Sequence, residues 1–415
     1  MFTITGKHYG NNVFPCLNNY LNEQGKSHFA GGDAPKLFVR DALNVDISNT
    51  GRIELRKSGE QVTALAFKNL WQSPLHGDVF ASLERQIVKV DTATWDYQVL
   101  ADNVDTSIVC YELVNLAVFI STGSGILIYR GGDGASFLTI DTPAGVQLRQ
   151  VDNGTLHGGT YTVAVSWLRG QVESGLSESS SIDIASMDSP NQWDAPYAAI
   201  QVSLPYCLDD SVTGVRVYCS ERNGSSLKCV GDYAIDQYIV TIDNIDGLGM
   251  DAQYDALSAM PSGKFIRYWQ GRLWTADKNV LRFSQALAYH LHDERHDFVL
   301  LPERITFVEP VDGGIWIGQV THVVFLAGSN PNEMQLLPKR SRPPIAYSAI
   351  TLDSQDVGEI AQGGAKTALW LAENGYVLGT SSGEIIELHS GILKGITAKF
   401  GRSVRIDRRI VTTLS

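Results

Sequence analysis

The densest run of chemically able side chains is His290-Leu-His292-Asp-Glu-Arg-His296-Asp297. On a helix, His292 and His296 would share one face at i, i+4, the spacing by which a zinc site takes two imidazoles. The pattern does not complete itself. Glu294 stands midway between them, whereas the hydrolytic zinc motif needs a glutamate directly after its first histidine. No third ligand follows at a recognisable spacing. A polar loop between strands accounts for His290, His292 and His296 without a metal. Gly131-Gly132-Asp133-Gly134 has the backbone freedom to cradle an anion, but a hairpin turn uses the same glycines. Asp91 with Thr92-Ala-Thr-Trp95 only echoes the box repeated in sialidase propellers, and a glycosidase needs two carboxyls at a separation that spacing along a chain cannot supply. No catalytic residue, metal or cofactor is assigned, and the chain is expected not to be an enzyme.

Charge placement says more. The 415 residues carry Lys+Arg 33 against Asp+Glu 45, a formal net charge of -12. A nucleic-acid coat would be basic, so that class is disfavoured. The acid is not spread evenly. Residues 392–415 hold Lys394, Lys399, Arg402, Arg405, Arg408 and Arg409 against Asp407 alone. A second basic run, Lys339, Arg340 and Arg342, lies in a proline-stiffened connector. Such runs dock on acidic partners or phosphates, or simply form solvated faces. These nine residues are the candidates for interface or docking.

Hydrophobic residues at 44% and charged residues at 19% are a core-forming balance. No apolar run is long enough for a membrane-spanning helix, and no secretory signal is expected at the start. The five cysteines (Cys16, Cys110, Cys207, Cys219 and Cys229) form no CxxC pair. Isolated thiols are expected, with a pairing among Cys207, Cys219 and Cys229 left open.

The elements that must position these residues read as strands throughout. Helical periodicity is nearly absent, with Asp251 to Met260 the best short candidate before Pro261. Units of about four strands in about 40 residues recur, which is the period of a β-propeller blade. The first takes Val62–Phe67, Asp78–Leu83, Gln86–Val90 and Tyr97–Leu100. The second spans Ser107 to Ile140, the third Phe265 to Leu301 and the fourth Ile305 to Leu337. The fifth opens with Val357 to Ala361 and ends at Leu388. Trp71, Trp269, Trp274, Trp316 and Trp370 fall in or beside these strands; core between blades is the expected role, with a sugar-binding stack for one or two of them as the alternative.

Between Pro143 and Leu257 the period breaks. Tyr161-Thr-Val-Ala-Val-Ser-Trp167 alternates cleanly, Arg169-Gly170 turns, and further short strands follow, as in an immunoglobulin-like or fibronectin-III-like sandwich. The expected fold class is all-β: a β-propeller of five to six partly irregular blades with that sandwich inserted. Its parts are an N-terminal arm (1–36), a first propeller part (37–142), the insert (143–257), a second propeller part (258–391) and basic C-terminal strands (392–415). A hairpin round Asn49-Thr50-Gly51 and the strands at Ile396 to Phe400 and Val404 to Ile406 are expected to pair and close the ring.

Arg40-Asp-Ala-Leu-Asn-Val-Asp-Ile-Ser-Asn-Thr-Gly-Arg-Ile-Glu-Leu-Arg-Lys-Ser-Gly59 resembles the opening of tailed-bacteriophage virion proteins of the tail-nozzle type. Gly159 to Trp167, Gly170 to Ser177, Val215 to Tyr218, Arg282-Phe-Ser-Gln285 and Val320 to Gly328 are similar to segments of that family. The resemblance implies a structural virion component, assembled in the host cytoplasm, that forms a channel for genome ejection. It implies partners too: copies of the same chain in a ring, expected as a hexamer, and other tail proteins such as adaptor or fibre proteins. DNA would pass through the lumen without specific binding. The alternative from another class is a propeller glycan-binding protein or glycosidase.

Overall fold

A computed structural model describes residues 45–47, 53–55, 60–358, 364–406 and 409–415. The N-terminal arm, Cys16, the turn at 49–51 and Arg408 lie outside the described residues. The described chain is all-β. Its helix is limited, among the described residues, to the turns Ser354–Val357 and Pro331–Glu333. Five four-stranded antiparallel sheets dominate, each a meander in chain order, an arrangement consistent with a β-propeller.

The first sheet has strands Lys68–Gln72, Val79–Leu83, Gln86–Val90 and Tyr97–Ala101; the second has Val109–Val114, Ala117–Thr122, Gly125–Tyr129 and Ser136–Phe137. The third has Phe265–Trp269, Arg272–Asp277, Val280–Phe283 and Phe298–Leu300. The fourth has Ile305–Val311, Gly314–Gln319, Val323–Ala327 and Gln335–Lys339, and the fifth Ile350–Asp353, Lys366–Ala372, Gly375–Gly379 and Ile385–Glu387.

Inner strands of these sheets are apolar on both faces because both faces are covered. Ala117–Thr122 and Gly314–Gln319 are buried at every position. One cluster joins the first and second sheets through Phe80, Ile87, Tyr111 and Ile120. Another joins the second and third through Phe119, Ile128, Ile266 and Leu273. The largest runs through the third, fourth and fifth sheets on Trp274, Trp316, Phe325 and Trp370. First strands of successive sheets lie side by side, so the sheets fan outward from a line of first strands.

After the second sheet the chain leaves for a three-stranded and a five-stranded sheet. The former orders Gln147–Leu156, Ala198–Ser203 and Ile239–Ile242; the latter is built on Gly159–Arg169 and Gly214–Ser220. Val163, Val165 and Val217 of one sheet and Ile200, Val202 and Val240 of the other bury together in one cluster. The chain returns to set the third sheet against the second. Ser121 Oγ donates to Gly263 O at 2.7 Å and accepts from Gly263 N at 2.9 Å. Only glycine fits there, since a Cβ would stand 2.5 Å from Ala276 O.

Several expectations need correction. Asp251 to Met260 is not a helix: Ala256 takes φ +58, and Leu257–Ala259 pairs instead with Leu291–Asp293. The fifth sheet opens at Ile350–Asp353, and Ser354–Val357 is a single helical turn. The first sheet opens at Lys68, after the apolar run Val62–Phe67. Among the described residues the terminal hairpins do not pair with each other. Val45–Ile47 pairs with Ile53–Leu55, and Gly401–Ile406 with Arg409–Leu414, each a separate two-stranded sheet. Strands close together in sequence meet at far lower loop-closure cost than strands at opposite chain ends. The described cysteines Cys110, Cys207, Cys219 and Cys229 are free thiols.

Candidate functional site

The line of first strands carries a set of charges that no motif announces. Glu112 lies on the second sheet, Arg267 on the third, Glu309 on the fourth and Thr351 on the fifth. Arg267 Nη2 is 2.5 Å from Glu309 Oε1, and its Nη1 is 4.0 Å from Glu112 Oε2. Thr351 donates to Glu309 Oε2 at 2.7 Å. Arg267 Nη1 also donates to Cys110 Sγ at 3.7 Å. Glu309 is 3% exposed, Arg267 21% and Glu112 23%.

Burial disfavours the charged form of Glu112 and pushes its carboxyl up to about 7; Arg267 opposes that rise and Glu309 adds to it. The carboxylates around Arg267 raise its guanidinium above the ordinary arginine range against the cost of burial. Arg267 thus ties three sheets by one side chain. The three charged residues are also related by register. Glu112 lies directly across from Phe119, Arg267 from Trp274 and Glu309 from Trp316. A charge in the middle of an apolar first strand, opposite an aromatic, is the signal that sequence reading could have used.

A second closed network lies in the five-stranded sheet. Glu173 accepts from Ser166 Oγ and Tyr218 Oη, both at 2.6 Å, and from Arg216 Nη1 at 2.7 Å. Arg216 also grips Asp232, whose carboxyl that bond lowers. Burial pushes the Cys219 thiol up to about 12, away from thiolate chemistry at neutral pH.

The histidine run is dispersed. It is not helical: His292 is on a strand and His296 in the turn after it, so they share no helix face. His292 is buried with Nδ1 3.1 Å from Phe283 O, and His290 Nε2 lies 3.0 Å from Glu173 O. Among the described residues no group of three or more His, Cys, Asp or Glu side chains is placed to hold a metal ion. Gly379-Thr-Ser-Ser-Gly383 has the spacing of a nucleophile elbow, but it leaves a strand for a turn and another strand, without the helix an elbow needs.

The docking candidates separate into two places. Lys394 and Lys399 are exposed before the last hairpin, and Arg409 opens its second strand. Arg402 lies over the Tyr347 ring at 5.4 Å, and Arg405 pairs with Asp356 at 2.7 Å. The hairpin's other side meets the fifth sheet at Tyr376 through Thr412 and the segment before that sheet at Ser348 through Ser403, leaving Val404, Ile406 and Val411 outward and exposed. In the other run, Lys339 lies over Phe325 at 5.8 Å, Arg340 is exposed and Arg342 is 3.9 Å from Glu373. Trp269, Trp274, Trp316 and Trp370 are buried, and Trp71 stacks on Tyr111 at 5.3 Å, so these rings are core.

No family model and no curated protein matches the chain. Its structure is distantly similar to β-propeller proteins. A chain of the BBS1N–ARL6DN complex is 12% identical, with 84% of this chain and 90% of that chain covered, at a TM-score of 0.34. A chain of the mitotic checkpoint complex is 10% identical, with 78% and 95% covered, at 0.21. The extracellular domain of the one-component system BT4673 from B. thetaiotaomicron is 11% identical, with 82% and 56% covered, at 0.22. Similarity at this level carries no argument, and the fold description rests on the sheets themselves.

Proposed function

We propose that this chain is a non-enzymatic structural subunit of a bacteriophage tail, a nozzle or tail-ring component, built as a β-propeller with an inserted immunoglobulin- or fibronectin-III-like sandwich. The observation that carries the structural reading is how the charges are used. Glu309, Arg267, Glu173 and Arg216 are engaged with one another and with neighbouring hydroxyls. Large apolar side chains, by contrast, stand exposed, including Leu116 and Leu287 on one cleft and Trp193 and Ile406 elsewhere. A surface of this kind suits assembly with other chains. The virion assignment rests on the resemblance of the segment 40–59 and of the insert. In that setting the acidic chain lets DNA phosphates slide past without binding.

Quantitative mass spectrometry of purified tailed-phage particles encoding this chain tests the assignment. A low, fixed copy number of tail-ring size is expected; finding the protein only free in the lysate refutes it. A second reading, glycan binding, is favoured by one feature. A cleft of about 440 Å³ at one end of the first sheet is lined by Asp78, Asp91, Asp96 and Tyr97. Binding on a glycan array that is lost in Tyr97→Ala would shift the assignment to that reading.

A further inference from the structure

The insert carries unlike surfaces at its two ends. At its Arg169 end, a cleft of about 640 Å³ opens between the insert, the second sheet and the connector after Phe283. This lies within the volume range of pockets that bury a sizeable ligand, about 300–1,000 Å³. Phe119 and Tyr289, packed edge to face at 5.9 Å, belong to its apolar wall. Its rim exposes Leu116, Phe137, Val172 and Leu287. No carboxylate lines it, although the chain as a whole is acidic. Its cations are Arg169, already 2.9 Å from Asp209, and Arg130, which is exposed and makes no ion pair among the described residues. His290 is on the wall, and burial lowers its pKa toward the neutral ring.

Leu287 is held at φ +60, a left-handed conformation that residues with a Cβ adopt only at a cost. Burial within this chain does not offset that cost, because Leu287 is 76% exposed and Leu116 is 72% exposed. Both leucines stand on turns that border the cleft, so an occupant would cover them together.

The opposite end of the insert presents a chemical match. In the loop after Ser180–Ile184, Trp193 is 89% exposed and Met187 is exposed beside Asp188. The loop is pre-ordered. Ser189 and Gln192 exchange backbone hydrogen bonds of 3.0 and 3.1 Å round Pro190-Asn191, and Asp194 N donates to Asp188 Oδ1 at 2.9 Å. Asp194 also meets Arg222 at 2.5 Å. A tryptophan on a rigid, acidic turn is the typical anchor of a protein contact, since little ordering remains to be done on binding.

The loop and the cleft cannot meet within one copy. Asp194 is fixed to His157 and Arg222 beside Gly159, and the strand Gly159–Arg169 runs roughly 33 Å from there to the cleft. We propose that they are the two halves of one contact between copies: Trp193 and Met187 of one chain seat in the Leu116–Leu287 cleft of a second, with Asp188 facing Arg130. Such a contact is heterologous, so copies add head to tail and close into a ring if the rotation allows. This inference rests on the reading of the chain as a self-assembling subunit.

Sedimentation velocity of the full chain tests both. The parent protein is expected to form species larger than the 45.4 kDa monomer as concentration rises. Trp193→Ser and Leu116→Asp should each weaken association at least tenfold and sediment as monomers. An equal mixture of the two variants keeps one intact loop and one intact cleft, so it should give a 1:1 heterodimer and nothing larger. That outcome also shows that both variants are folded. A parent that stays monomeric overturns self-assembly and this contact together. A parent that assembles while the variants assemble equally, or while their mixture stays monomeric, leaves self-assembly standing and overturns this contact alone.

Discussion

Arg267 and Arg216 each stand between two carboxylates, yet they connect different things. Arg267 reaches Glu309, 42 residues away, and Cys110, 157 residues away, so its partners lie on other sheets. Arg216 reaches Glu173 and Asp232, 43 and 16 residues away, within one five-stranded sheet. Glu173 keeps bonds from Ser166 and Tyr218 whatever Arg216 does, whereas Glu309 keeps only the Thr351 hydroxyl among its side-chain donors. The first network fixes how sheets sit against each other; the second stiffens one sheet that hydrophobic packing already holds. A buried charge matters most where nothing else supplies the register.

The largest expected effect tests that contrast directly. Arg267→Ala leaves Glu309 buried without its cation and should cost about 3–5 kcal/mol in urea unfolding. Arg216→Ala should cost less, about 1–3 kcal/mol, because Glu173 retains two donors. Equal losses would break the comparison. Next comes pH. The Glu112 carboxyl sits at about 7 in the folded chain against an ordinary 4.5. Between those values the unfolded chain has released a proton that the folded chain keeps, so stability falls as pH rises from about 4.5 to about 7 and levels off above. The drop is at most about 3 kcal/mol, and Glu112→Gln should remove it when unfolding midpoints at pH 5 and pH 8 are compared. Thr351→Val should cost about 1.5 kcal/mol through the lost bond to Glu309, and combined with Arg267→Ala it should cost less than the sum. The smallest change concerns the join of the two regions. Leu287→Gly should raise stability by about 0.5–1 kcal/mol by relieving the left-handed backbone, read as a higher melting temperature.

The third and fourth sheets were legible strand by strand, because Phe265–Trp269, Gly314–Gln319 and Val323–Ala327 are largely apolar runs between turn residues, interrupted only by Arg267 and ended by Gln319. The ends of the series were not. Val62–Phe67 has an apolar look, but Val62 and Leu65 are exposed, and the strand forms where Trp71 can pack on Phe80 and Tyr111. The first strand of the fifth sheet was missed because Thr351 and Asp353 make it half polar. The histidine spacing misled because i, i+4 means one face only on a helix. Glu112, Arg267 and Glu309 were passed over because each is a lone charge in its own strand, and only superposing the repeats brings them together.

The Ser121–Gly263 bond has a bearing on how the chain is made. Its partners are 142 residues apart, which at about 5–20 residues per second is roughly 7–30 seconds of synthesis. For that time the side of the second sheet bearing Phe119, Ile126 and Ile128 has no third sheet to cover it. The excursion between them buries its own apolar residues in a cluster of its own, so it can fold as it emerges and bring its two ends together. Translation stalled near residue 250 should therefore yield nascent chains that chaperones grip, and chains extended past residue 320 should be released.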